Sequence, residues 1–139
     1  MSKIIRKIIS TKAAPKPVAP YSQAVQVGHT LYLSGVVGND KDSAKLVSGG
    51  VVQETKQAFE NLGKLLEAGG SSFANVVKTT VLLKDINNFK AVNDIYQEHF
   101  KEPYPARVAY QVGKLPLDAE IEIDAVAVTG ELETTYVNV

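Results

Sequence analysis

Residues 120–128 read Glu-Ile-Glu-Ile-Asp-Ala-Val-Ala-Val. Strict alternation of this kind is a strand with two chemically different faces, because successive side chains of an extended chain point to opposite sides. Ile121, Ile123, Ala125 and Ala127 point one way and suit packing beneath helices. Glu120, Glu122, Asp124, Val126 and Val128 point the other way. That second face begins acidic and ends apolar. Solvent has little use for Val126 and Val128, whereas a subunit interface has, so the face reads as half interface and half polar pocket. The preceding stretch, PARVAYQV from Pro105 to Val112, reads as another strand joined to this one by a turn. Arg107, Ala109, Gln111 and Gly113 share one of its faces, opposite Val108, Tyr110 and Val112. If Arg107 shares a cleft with Glu122, a cation and a base face one space. The alternative is a plain ion pair between Arg107 and one of the three carboxylates.

The rest of the chain supplies what such a strand needs. KIIRKIIS is short and β-branched and reads as a first strand. TKAAPKPVAP carries three prolines and can be neither central strand nor helix. AVQVGHTLYLSG reads as a hairpin turning at Gly28-His29, and NDKDSAKLVSGG as a polar loop. From Val51 to Ala68, Val52, Ala58, Phe59, Leu62, Leu65 and Leu66 recur at helical spacing, Glu54 falls on the polar side, and Gly69-Gly70 stops the run. Each large side chain on that stripe contributes about 1.5–3 kcal/mol when buried. Asn75–Lys84 reads as a strand, and a second helix follows with Phe89, Val92, Ile95, Tyr96 and Phe100 along one stripe. Asp85 or Asn87 is placed to cap it. Residues 130–139 form a polar tail. The order predicts an α+β fold: one domain over residues 1–139, about six strands in a sheet with two helices on one face, and the other face bare. A bare sheet face either turns polar or meets a partner.

Composition narrows the function. Fifteen basic residues balance fifteen acidic ones, so the chain as a whole has no attraction to nucleic acid or anionic membranes. Without cysteine there is no disulfide, thiolate metal site or cysteine nucleophile. The two histidines, His29 and His99, lack an acid cluster and make a poor metal site; both are expected at the surface. No apolar run approaches the roughly 18 residues of a membrane span. The first acid is Asp40, so the start is basic. A transit peptide would look similar, but a first strand and a Pro-rich connection fit better. The expected location is the cytoplasm, with mitochondrion or nucleus as alternatives.

Several motifs in order resemble the reactive intermediate deaminase family (YjgF/YER057c/UK114). PARVAYQVGKLPLDAEIEIDAVAV resembles its closing motif, APYSQAVQVGHTLYLSG its first hairpin, and residues 54–96 its helix–strand–helix centre. VAYQV after the arginine resembles the animal members. The resemblance implies a chorismate-mutase-like fold and a homotrimer with sheets facing inward and clefts between neighbouring subunits. It implies hydrolysis of 2-iminobutanoate and 2-iminopropanoate to 2-oxo acids and ammonia, without metal or cofactor. It places the carboxylate-binding arginine at Arg107 and the water-activating acid at Glu122. It places further substrate-binding positions at Tyr21, Ser34, Gly35 and Asn93. Many bacterial members carry a cysteine where this chain has Ala109, which rules out a thiol-dependent step here. Two rival functions remain beside this one: cleavage of single-stranded RNA with inhibition of translation, and a non-catalytic small-carboxylate-binding or chaperone-like trimer. The neutral net charge and the absence of a basic stripe with interleaved aromatics give the RNA reading no support.

Overall fold

The computed structural model describes residues 2–139; Met1, at the head of the expected domain, lies outside the described residues. Six strands form one mixed sheet: β1 (Arg6–Ile9), β2 (Ala24–Val27), β3 (Thr30–Val36), β4 (Val76–Leu83), β5 (Ala106–Gln111) and β6 (Ile121–Val128). Their order across the sheet is β1-β2-β3-β6-β4-β5. Helices α1 (Val51–Ala68) and α2 (Phe89–His99) cover one face. The fold is therefore α+β with both helices on one side, as the apolar patterning predicts.

Strand alternation works as elementary geometry requires. On β6, Ile121, Ile123, Ala125 and Ala127 are buried, while Glu122, Asp124, Val126 and Val128 are half-buried on the opposite face. Leu31 and Leu33 of β3 and Thr79, Val81 and Leu83 of β4 join the buried set beneath Phe59, Leu62, Leu65 and Leu66 of α1. The β2–β3 turn is the two-residue loop Gly28-His29, with Val27 paired to Thr30. Gly28 sits at φ +60°, the left-handed region a first central turn residue of this type requires. The open face presents Ile8, Tyr32, Val108 and Tyr110, which are 56%, 52%, 45% and 49% exposed, among half-buried Val25, Val126 and Leu82. Apolar side chains so placed, on a face no helix covers, suit contact with another chain.

Four expectations change. The strands carrying Arg107 and Glu122 are not a hairpin: β4 lies between them, antiparallel to β6 and parallel to β5. The β4–α2–β5 segment is a crossover, the connection that parallel neighbours need. Glu54, placed on the polar side of α1, is buried, and its Oε1 accepts a hydrogen bond from the Glu120 N–H at 2.9 Å. Burial, chiefly, raises its pKa, and the Glu120 N–H works against that. His99 is half-buried, stacked on Phe59 with ring centroids 4.6 Å apart, and desolvation lowers its pKa; His29 is exposed, as expected. Asp85 caps a short 3-10 turn at Ile86–Asn88, accepting from the Asn87 N–H at 2.9 Å, rather than capping α2 itself.

Candidate functional site

A cavity of about 380 Å³ opens at the end of the sheet where β3 and β6 part from regular pairing. The β3–β6 register runs Leu33↔Ala125 and then Val36↔Ile123, so β3 carries one extra residue at Ser34-Gly35. A bulge of this kind bends the strand and re-aims its side chains. Here it makes room for Glu122. A methyl group added at Gly35 would lie 2.8 Å from Glu122 Cδ and 3.1 Å from Oε1, so only glycine lets the carboxylate lie against the strand.

Tyr21, Ser34, Gly35 and Glu122 all line this cavity, with apolar walls from Val18, Val36 and Leu117. Four of the six positions drawn from the motif resemblance are thus brought together by one chain. The Ser34 hydroxyl donates to the Ser22 carbonyl at 2.6 Å, and its N–H donates to the Gln23 carbonyl at 3.1 Å. Ser34 therefore fixes the approach to Tyr21, and its hydroxyl oxygen retains acceptor capacity. Tyr21 itself is 48% exposed at the rim.

Glu122 carries the cavity's electrostatics. It is half-buried, and its pKa is raised, first by desolvation and then by the charge of Asp124 on the same face. Among the described residues no hydrogen bond or counter-charge offsets either effect. A carboxylate left in this condition beside a cavity is where a proton acceptor for chemistry is found, because an isolated structural one would be paired.

Arg107 and Asn93 stand elsewhere. Arg107 pairs in register with buried Thr79 and lies on the helix-covered face, whereas Glu122 lies on the open one. Arg107 Nη1 donates to Asn93 Oδ1 at 2.6 Å. Among the described residues no carboxylate lies within salt-bridge distance of it. Neither the shared cleft within one chain nor the plain ion pair describes Arg107: alternation holds on each strand, but β4 intervenes between them.

Two buried amides escaped sequence reasoning. Gln23 is 5% exposed; its Oε1 accepts from the Thr11 N–H at 2.7 Å, and its Nε2 donates to the carbonyls of Thr11 and Pro15 at 3.2 and 2.8 Å. It pins the Pro-rich segment that walls the cavity. Asn61 of α1 donates to the carbonyls of Val37 and Asn39, both at 3.0 Å, and holds the loop on the other side. A polar residue inside an apolar stripe was the available signal at Asn61, between Phe59 and Leu62. Opposite, Leu117 and Asp118 both take positive φ, 59° and 56°. Backbone strain at the rim of a cavity is common where a site must be shaped. Among the described residues no group of three or more His, Cys, Asp or Glu could hold a metal, and no helix is long and apolar enough to cross a membrane.

Known proteins share this architecture. The human protein named 2-iminobutanoate/2-iminopropanoate deaminase is 57% identical over 134 residues, covering 96% of this chain and 98% of its own. The crystal structure of RidA from a Psychrobacter species is 40% identical with a TM-score of 0.85, covering 88% of this chain and 98% of that one. Escherichia coli TdcF, solved with bound serine, is 33% identical with a TM-score of 0.83, covering 89% and 99%. Residues 11–129 match the family described as Endoribonuclease L-PSP, and the chain belongs to that family, the reactive intermediate deaminases its motifs resemble.

Proposed function

We propose that this protein hydrolyses 2-imino acids, with 2-iminobutanoate and 2-iminopropanoate as substrates, in clefts formed between copies of the chain arranged as a trimer. The observation that carries the reading is Glu122: a half-buried carboxylate with a raised pKa and, among the described residues, no hydrogen-bond or charge partner, facing a cavity of small-molecule size. Relatives 54–58% identical over nearly the whole chain are named for this activity. The substrate is an anion, and its site must supply a cation: Lys16 of the same chain lines the cavity, but the planar two-pronged grip that suits a carboxylate belongs to an arginine. Arg107 lies on the opposite sheet face and so meets this cavity only if it comes from a second copy. The uncovered apolar face, with Ile8, Tyr32, Val108 and Tyr110, supplies the surface for that assembly.

The chemistry follows from these groups. Arg107 of one copy holds the substrate carboxylate with paired N–H bonds, fixing the adjacent C=N carbon over the cavity of its neighbour. Glu122 accepts a proton from a water as the water oxygen bonds to that carbon, and passes it to the imine nitrogen to give a carbinolamine. Glu122 then takes the carbinolamine's hydroxyl proton and delivers it to the amine as the C–N bond breaks, which leaves the carboxylate as it began. Ammonia leaves and the 2-oxo acid remains, so one imine and one water give one oxo acid and one ammonia. A raised pKa suits Glu122 to this work, since a base is most effective when its pKa approaches the working pH. Tyr21, Ser34 and Gly35 line the cavity that receives the substrate. The cavity's apolar wall receives the short alkyl side chain.

The family description names an endoribonuclease, but neither histidine lines the cavity. His99 is stacked on Phe59 and His29 is at a hairpin turn. The deciding assay couples a threonine dehydratase to this protein and follows 2-oxobutanoate release in the presence of an imine trap. Acceleration over the uncatalysed rate is expected. Release no faster than in buffer, with a folded protein, would leave a binding module. In the same assay Gly35→Ala should lower turnover on the order of 10²-fold, the scale of a misplaced reacting group. The added methyl meets a flexible side chain rather than backbone, so Glu122 moves and the fold survives. Unchanged turnover would show that the seat of Glu122 is unimportant.

A further inference from the structure

Arg107 is exposed, yet it is held on several sides. Phe89, Asn93 and Tyr96 stand at i, i+4 and i+7 of α2 and so share one helix face. That face meets β5 at Arg107. The guanidinium carbon lies 4.7 Å from the centroid of Tyr96 and 5.3 Å from that of Phe89, both within cation–π reach. Asn93 Oδ1 accepts from Nη1 at 2.6 Å. The Tyr96 hydroxyl is in turn 2.8 Å from Thr79 Oγ1, and Thr79 is the residue directly beside Arg107 in the β4–β5 register. The arrangement closes on itself: strand neighbour, tyrosine, guanidinium and back to the strand. Its members differ in burial. Thr79 is fully buried and Tyr96 is 6% exposed, whereas Phe89 is 36% exposed.

An exposed arginine on an edge strand ordinarily samples many rotamers, and a ligand that needs one of them bears the cost of freezing it. Here two rings and one amide fix the group before any ligand arrives. The rings lie within cation–π reach of the guanidinium carbon, and among the described residues only Nη1 is hydrogen-bonded, to Asn93, so the other N–H groups can grip a carboxylate. No acid competes for that edge among the described residues.

We propose that Phe89 and Tyr96 are positioning residues for the reaction: their rings hold the Arg107 guanidinium in the orientation in which it binds the substrate carboxylate. This rests on Arg107 being the carboxylate anchor. Phe89 is the cleaner probe because it is at the surface. Phe89→Leu keeps apolar bulk and removes the π face. Its kcat/KM for 2-iminobutanoate should fall about 3–30-fold, the range of a cation–π contact, with KM taking most of the change. Inhibition by the product 2-oxobutanoate should weaken in parallel, which reads anion binding without turnover. Phe89→Tyr should restore both, and the Tm of the two variants should stay close to native. Native-like constants in Phe89→Leu, beside an inactive Arg107→Ala, would overturn the seat and leave the anchor standing. A loss that follows a fallen Tm and is not rescued by Phe89→Tyr would overturn it as well. Full activity in Arg107→Ala would remove anchor and seat together.

Discussion

Glu122→Gln should lower turnover of 2-iminobutanoate by about 10²–10⁴-fold, the usual contribution of a positioned general base, while leaving KM nearly unchanged. The amide keeps the shape that lies against Gly35 but accepts no proton at neutral pH. The same substitution should make the folded chain more stable at neutral pH, and the sign can be worked out. Burial first, and Asp124 second, hold the Glu122 pKa above its ordinary carboxylate value in the folded chain. The folded state therefore binds this proton more tightly than the unfolded state does. Stability falls as pH rises from the ordinary carboxylate pKa through the raised one, and the whole cost is present above it. Glutamine carries no such cost. Thermal melts of the two proteins should separate above that window, with the variant higher. They should draw together below about pH 4, where the native residue is protonated in both states. Native kcat/KM should also rise with pH through the titration of Glu122 until the carboxylate is fully ionised. Turnover within threefold of native in the variant would mean that the base is another group. A gap in Tm widest in acid would mean that the Arg107 brought to the cleft by a neighbouring copy outweighs the desolvation of Glu122.

A carboxylate whose ionised form burial works against is one of the few features whose importance a sequence hides while naming the residue correctly. Alternation in residues 120–128 places Glu122 opposite Ile121 and Ile123, and the structure agrees. Helix α1 begins at Val51 and ends at Ala68, where the apolar spacing and the Gly69-Gly70 stop place it. These are local properties, carried by periods of two and 3.6 residues. What is not local is less legible. Nothing near Arg107 says that its strand pairs with β4 in parallel rather than with the strand that follows it. Sheet order is decided by which strands the crossover helix brings together, and one inserted strand separates groups that a hairpin would have made neighbours. Glu54 shows the same limit at the level of one side chain. Its helical position looks solvent-facing until the N–H of Glu120, sixty-six residues away in sequence, arrives to use it. Phe89 and Tyr96 fall on the apolar stripe of α2, and only the edge strand laid across that stripe shows that they also serve a guanidinium.

Mixing two inactive variants should restore activity. Arg107→Ala and Glu122→Gln each remove one half of the cleft, and each alone should turn over near the uncatalysed rate. Unfolded together in equal amounts and refolded, they should recover about a quarter of native turnover, because that is the share of clefts in which a chain keeping Glu122 faces one keeping Arg107. The expectation comes from sheet geometry. Arg107 is on the helix-covered face of an edge strand, Glu122 is on the open face, and β4 runs between them. A strand's side chains do not cross to the other face without reversing its register, which would expose Ile121 and Ile123 and bury Glu122 and Asp124 in their place. The two groups can serve one substrate only across a boundary between chains. The native protein refolded with the double variant Arg107→Ala/Glu122→Gln supplies the converse. Activity should drop below that of the native chains alone, since about half of their clefts then face a damaged neighbour. If the mixed single variants stay inactive while each is folded and assembled like the native protein, the cleft is not shared, and the carboxylate anchor must be a cation other than Arg107.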